Sequence, residues 1–153
     1  MKQKVLFICT HNSARSQMAE AFLNALYPNK YQAFSAGTEP GTINPYVVKV
    51  MAELGFDLAN NKTKGVSEFQ NQKIDYVVTV CNSAKEHCPF FPGAKNYLHH
   101  GFTDPSSFTG TEADILAQVR TVRDGIKSWL EETFGSENGP STDKNELKIN
   151  LGI

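Results

Sequence analysis

Four consecutive apolar residues, Val5-Leu6-Phe7-Ile8, lead directly into the polar stretch Cys9–Arg15 and then into an amphipathic segment, Ser16–Tyr27. A strand with one wet face alternates apolar and polar side chains. An unbroken apolar run instead fits a strand covered on both faces, as in the parallel sheet of an α/β protein. The following segment carries Met18, Ala21, Phe22, Ala25 and Leu26 on one helical stripe, with Pro28 just past its end. A strand–loop–helix opening of this kind obliges the rest of the chain to supply neighbouring strands and further helices.

The remaining sequence meets that demand. Tyr31–Ser35 reads as a short strand closed by Gly37, and Asn44-Pro45 opens a helix that runs to about Leu54 and stops at Gly55. Ile74–Val80, β-branched and apolar, is the clearest strand and ends at Cys81. A short helical turn toward His87, broken by Pro89 and Pro92, precedes a weaker strand at Asn96–His100. Thr111-Glu-Ala-Asp114 reads as a capping box for a last helix that buries Ile115, Leu116, Val119, Val122, Ile126, Trp129, Leu130 and Phe134 and ends at Gly135. The expected architecture is a three-layer α/β sandwich: a mainly parallel four-stranded sheet with helices on both faces. One domain is expected over residues 1–135, with a flexible tail over 136–153.

Length and charge narrow the function classes. A chain of 153 residues is long enough for one self-sufficient core. Its 15 basic and 16 acidic residues nearly cancel, and no Lys/Arg run occurs, so neither nucleic acid nor a membrane is expected as a partner. The apolar stretch near the N-terminus is only Val5 to Ile8, too short for a signal core or a membrane span, and a cytoplasmic monomer is expected. Three cysteines, Cys9, Cys81 and Cys88, cannot close a disulfide framework and are expected to be thiols. Zinc lacks support: there is no C-x2-C pair, and His99 and His100 on a strand would point to opposite faces. No metal site is expected.

The chemistry concentrates where the first strand ends. Cys9 and Arg15 are separated by Thr10, His11, Asn12, Ser13 and Ala14, and Ser16 follows. A loop between a strand and a helix start can turn successive backbone N–H groups inward as a cradle for a tetrahedral oxyanion. Arg15 would hold two of the anion's oxygens through its planar fork. The same donors and the helix dipole would favour a thiolate at Cys9, and the hydroxyls of Ser13 and Ser16 are further donors for that sulfur. The plainer alternative makes Cys9 a small buried hydrophobe and Arg15 a solvated first-turn residue.

The stretch VLFICTHNSARSQMAEA resembles the thioredoxin-coupled arsenate reductases, which share the C-x5-R loop and fold of the low-molecular-weight tyrosine phosphatases. The resemblance continues through SAGTEPGTINP, VVTVCNSAKEHCPFFPG and GFTDPSS to the last helix, covering about residues 3–134. Gln17 belongs to it as well, since phosphatases of this fold usually carry proline there. Two departures stand out: Ala14 replaces a loop cysteine found in many members, and Lys64 stands where some members have an aspartate that, with counterparts of Asn12, Glu20 and Ser35, binds potassium. The Lys64 ammonium is expected to stand in for the cation, so no potassium site is expected.

The resemblance implies an arsenate reductase with no bound cofactor, acting on arsenate, with phosphate or sulfate as mimics, and drawing electrons from an external thiol such as thioredoxin. It implies that Cys9 attacks arsenic, that Cys81 and then Cys88 relay a disulfide outward, and that Asp104, followed by Pro105, is the general acid. The alternative for Asp104 is a surface Asp-Pro turn. The competing function is a phosphatase using Cys9, Arg15 and Asp104 alone. Cys81 and Cys88 are seven residues apart, a separation no intact helix can bridge with a disulfide, so residues 82–87 are expected to loop out on oxidation.

Overall fold

The computed structural model describes residues 2–82 and 91–140. Four strands form one sheet in the order β2-β1-β3-β4: β1 (Gln3–Cys9), β2 (Tyr31–Gly37), β3 (Ile74–Thr79) and β4 (Ala94–His99). Every pairing is parallel, and the register sets Cys9 opposite Gly37 and Ile8 opposite Thr79. The helices are α1 (Arg15–Leu26), α2 (Pro45–Ala52) and α3 (Glu112–Phe134), with short 3₁₀ turns at Val66–Phe69 and Pro105–Ser107.

The apolar run of β1 is buried throughout, as a central strand requires, and its side chains divide between two cores. Val5, Phe7 and Cys9 join Tyr76, Val78 and Leu98 under Met18, Phe22, Val47, Met51, Val119, Ile126 and Phe134, so α1, α2 and α3 all bury residues in one cluster. Leu6 and Ile8 face the other way, with Ala36, Ile74 and Val77, beneath Phe69 of a 3₁₀ turn and Phe91. The sandwich is therefore asymmetric among the described residues: three α-helices cover one face, and a short turn covers the other. The helical turn expected after Cys81 and the cysteine Cys88 lie outside the described residues.

Local chemistry explains the boundaries. The Asn44 side chain accepts from the N–H groups of Tyr46 and Val47, and Pro45 follows at the first helical position. Thr111 and Asp114 form the reciprocal capping box at the start of α3. Beyond α3 the chain stays on the domain: Ser136 donates to the carbonyl of Gly139, Lys30 donates to that of Ser136, and Pro140 is buried. The segment expected to be a tail from residue 136 thus begins folded, and residues 141–153 are not described.

Candidate active site

β1 delivers Cys9 to the carboxyl end of the sheet, and α1 begins six residues later at Arg15. The carbonyls of Thr10, His11 and Ser13 are taken by the N–H groups of Glu39, Gly41 and Asn44, at 2.9, 3.0 and 2.9 Å. In a planar trans peptide the N–H points opposite to the carbonyl. Anchoring these three carbonyls outward therefore turns the N–H groups of His11, Asn12 and Ala14 to the inside of the loop. Asn12, with φ of 55°, supplies the left-handed residue the curl needs, a conformation asparagine tolerates better than most side chains. Gly37, at the end of β2, lets the loop close. A Cβ there would fall 2.6 Å from the Thr10 carbonyl oxygen and 2.8 Å from the Asn12 nitrogen.

The N-terminus of α1 carries no side-chain cap. Its cap position is Ala14, which offers no side-chain acceptor, and no acidic residue stands in the first turn. Arg15 is almost wholly buried; its Nη1 donates to the Phe102 carbonyl at 3.1 Å, and its Nη2 lies 3.6 Å from Asp104 Oδ2. Asp104 also accepts from the Ser106 N–H through Oδ1, so it caps the 3₁₀ turn and faces Arg15 at once. Its side chain keeps partial contact with solvent.

Cys9 is buried, with Sγ 2.9 Å from Ser16 Oγ. Cys81 is also buried and lies one strand over. Val80 donates to the Ile8 carbonyl from the backbone, and the Cys81 thiol reaches the same carbonyl at 3.9 Å. The two cysteines therefore leave neighbouring parallel strands at the same end of the sheet, where α/β proteins bind ligands. Gly101 packs close to that edge; a Cβ on it would stand 3.1 Å from the Cys81 carbonyl oxygen.

Of the expected site residues, Cys9 through Ser16, Cys81 and Asp104 gather at this end, and Cys88 lies outside the described residues. His11 is exposed and bonds to the Glu39 carbonyl through Nδ1, so it ties down the loop. His99 bonds to Thr79, and His100 stacks on Phe102, with burial lowering its basicity. Among the described residues no three His, Cys, Asp or Glu side chains gather to hold a metal ion. Under the loop, Glu20 accepts from the Ser35 hydroxyl and lies 3.8 Å from the Lys64 ammonium. Burial pushes the Glu20 carboxyl up, opposed by the charge of Lys64 and the Ser35 hydrogen bond.

Composition and periodicity missed the floor of the site. Gln17, fully buried, donates to Asn12 Oδ1 at 3.0 Å and to the Lys62 carbonyl at 3.1 Å, while Asn61 donates to its Oε1 at 3.2 Å. These contacts span 44 or 45 residues wherever they reach the 61–62 segment, so no local spacing announces them.

The low molecular weight phosphotyrosine protein phosphatase family model matches residues 4–133. An arsenate reductase of Halalkalibacterium halodurans is 39% identical over 125 residues, covering 82% of this chain and 90% of the relative. A solved structure described as an arsenate reductase in the phosphate binding state superposes with a TM-score of 0.72 at 28% identity, covering 85% of this chain and 95% of its own. The thioredoxin-dependent arsenate reductase of Corynebacterium glutamicum superposes with a TM-score of 0.59 at 27% identity, covering 86% of this chain and 61% of that one. The C-x5-R loop between a buried strand and a helix, the all-parallel sheet and these likenesses agree: the chain belongs to the low molecular weight phosphotyrosine protein phosphatase family, alongside its arsenate reductases.

Proposed function

We propose that this chain reduces arsenate to arsenite with Cys9, Cys81 and Cys88 as the electron-carrying thiols. The observation that carries the proposal is the juxtaposition of two buried cysteines, Cys9 and Cys81, just past the ends of adjacent strands beside the Cys9–Arg15 loop. Phosphate ester hydrolysis needs one nucleophile; a two-electron reduction needs a dithiol. The names of the relatives, arsenate reductases at 35–39% identity, support the same substrate.

In this reading the loop N–H groups and Arg15 bind the oxyanion, and the Cys9 thiolate attacks arsenic(V) and displaces one oxygen as water. Asp104 supplies a proton to the departing oxygen. Cys81 then attacks the Cys9 sulfur, breaking its bond to arsenic. That bonding pair stays on arsenic, which leaves as arsenite, and Cys9 and Cys81 are left as a disulfide. Cys88 attacks Cys81 and frees Cys9, and an external dithiol of the thioredoxin type reduces the Cys81–Cys88 disulfide. The chain would act as a cytoplasmic monomer in removing arsenate from the cell, with no bound cofactor. The Arg15–Asp104 juxtaposition favours a second, weaker activity, hydrolysis of small phosphate monoesters through Cys9.

The test is arsenate turnover by the purified chain with thioredoxin or glutaredoxin, each with its own reductase, as the sole electron source. Arsenate-dependent consumption of the donor, lost in Cys9→Ser, is the expected result. No consumption with either donor, together with robust phosphate ester hydrolysis that survives Cys81→Ser, would reassign the chain as a phosphatase.

A further inference from the structure

We propose that Gln17 is a positioning residue for the nucleophile, acting through Asn12 and Ser16 to aim one hydroxyl hydrogen at the Cys9 sulfur. The inference rests on Cys9 being the nucleophile and adds a residue to its machinery.

The hydrogen-bond inventory fixes the orientation of both amides. Asn12 Oδ1 faces the Lys64 backbone N–H at 2.9 Å, and a backbone N–H only donates, so that atom must be the amide oxygen. Gln17 faces the Lys62 carbonyl at 3.1 Å, which only accepts, so the Gln17 atom there must be nitrogen. The same nitrogen donates its second hydrogen to Asn12 Oδ1 at 3.0 Å. With its oxygen accepting twice, Asn12 presents Nδ2 to Ser16 Oγ at 2.8 Å, where it donates. Ser16 is an acceptor in that bond, so its own hydrogen is free to turn to Cys9 Sγ at 2.9 Å, and a thiolate there, which only accepts, must receive it. A hydrogen bond received by the charged form of an acid favours that form, and each member of such a chain polarises the next.

Gln17 is the clasp of this chain. It joins Asn12, which curls the loop, to the 61–64 segment, which brings the Lys64 N–H to Asn12. Without Gln17, only the Lys64 N–H holds the Asn12 oxygen in place, and an amide that turns over presents that oxygen to Ser16. The hydroxyl hydrogen would then follow that oxygen and desert the sulfur. Gln17, Asn12 and Ser16 are all fully buried, so water does not substitute for the lost donor.

The experiment measures the pH profile of Cys9 alkylation by iodoacetamide in the full chain, read by mass spectrometry of the peptide bearing Cys9. It needs no arsenate, so its outcome is independent of whether the chain reduces arsenate. The other ionisable groups near the loop, Arg15, Asp104, His11, Glu20, Lys64 and Cys81, are unchanged in every variant. Gln17→Met keeps the length of the side chain and removes both donors. Its profile should move to higher pH by about half a unit to one unit, which is roughly three- to tenfold slower alkylation on the rising limb. Ser16→Ala should move it in the same direction, and in the Ser16→Ala background Gln17→Met should add nothing.

A residue that merely fills space predicts an unmoved profile in Gln17→Met, and that result overturns the proposal. So does an equal shift with and without the Ser16 hydroxyl. Because a methionine there leaves the Lys62 carbonyl short of a partner, Asn61→Ala serves as the milder probe if Gln17→Met does not fold. It frees the Gln17 amide oxygen from its donor and should give a smaller shift of the same sign that vanishes with Ser16→Ala; an unmoved profile there likewise overturns the proposal.

Discussion

Arg15 is anchored at one terminal nitrogen by the Phe102 carbonyl and faces Asp104 with the other, so the plane of its guanidinium is set by the protein. A lysine has one nitrogen on a flexible stem and cannot hold the carbonyl and grip two oxyanion oxygens together. Arg15→Lys should therefore lose on the order of 100-fold or more in kcat/KM for arsenate while remaining folded. Near-normal turnover and saturation in steady-state kinetics would remove the two-point clamp from the mechanism. The two further cysteines separate in a different assay. Cys81→Ser should stop at the Cys9–arsenic adduct and release no arsenite. Cys88→Ser should release about one equivalent and then stall as a Cys9–Cys81 disulfide, because it lacks the thiol that carries oxidation onward. Counting arsenite per enzyme in a single-turnover experiment distinguishes them, and repeated turnover of Cys88→Ser with thioredoxin would exclude Cys88 as the shuttle.

The β1–loop–α1 unit depends on a neighbour that it does not contain. β2 ends on Gly37 directly against the loop backbone, and the isolated bridge between Gly37 and Gly65 ties in the segment that reaches Asn12 through Lys64. Gly37→Ala would force its methyl group into the Thr10 carbonyl, 2.6 Å from where that Cβ must lie, and the contact is backbone, which cannot rotate away. The loop must deform, at a cost of about 1–3 kcal/mol in stability. Phosphate binding should weaken more than the melting temperature falls, and calorimetric titration beside a thermal melt compares the two. Unchanged phosphate affinity would mean the loop tolerates the displacement. Elements of this kind divide sharply in how legible they were in the sequence. The starts of α2 and α3 could be read from Asn44-Pro45 and Thr111–Asp114 because caps act within four residues. β1 and β3 could be read because both are apolar runs. β4 begins at Ala94, two residues before the expected strand: four of its six side chains are polar or exposed, as an edge strand permits, and the apolar signal is lost. The roles of Gly37, Asn61, Lys62 and Lys64 had no local signature, since each exists only in contact with the loop or the first turn of α1, roughly 30 to 50 residues away in sequence.

At the scale of the whole molecule, the helical layer is locked by charge as well as by packing. Glu53, at the end of α2, receives Nε and Nη2 of Arg120 and Nη1 of Arg123 from α3. Arg123, nearly buried, also donates to the Val50 carbonyl and to Asp124. These two guanidinium groups hold the Glu53 carboxyl at about 2, against 4.5 for an ordinary glutamate. Between those values the unfolded chain takes up a proton at Glu53 more readily than the folded one, so acid favours unfolding there. The Glu53 contribution is therefore complete above about 4.5 and fades as the pH falls toward 2. Replacing Glu53 with glutamine removes the charge at every pH and leaves Arg123 buried beside a neutral amide. The variant should melt below the parent at neutral pH, and the gap should close progressively between pH 4.5 and pH 2. Arg120 and Arg123 bond to Glu53, Asp124 and the Val50 carbonyl, none of them a residue of the Cys9–Arg15 loop, so Cys9 alkylation at neutral pH should be the same in both proteins. A gap in melting temperature that stays constant down to pH 2 would mean that Glu53 acts through shape alone, and that α2 and α3 are held by their apolar contacts without help from the ion pair.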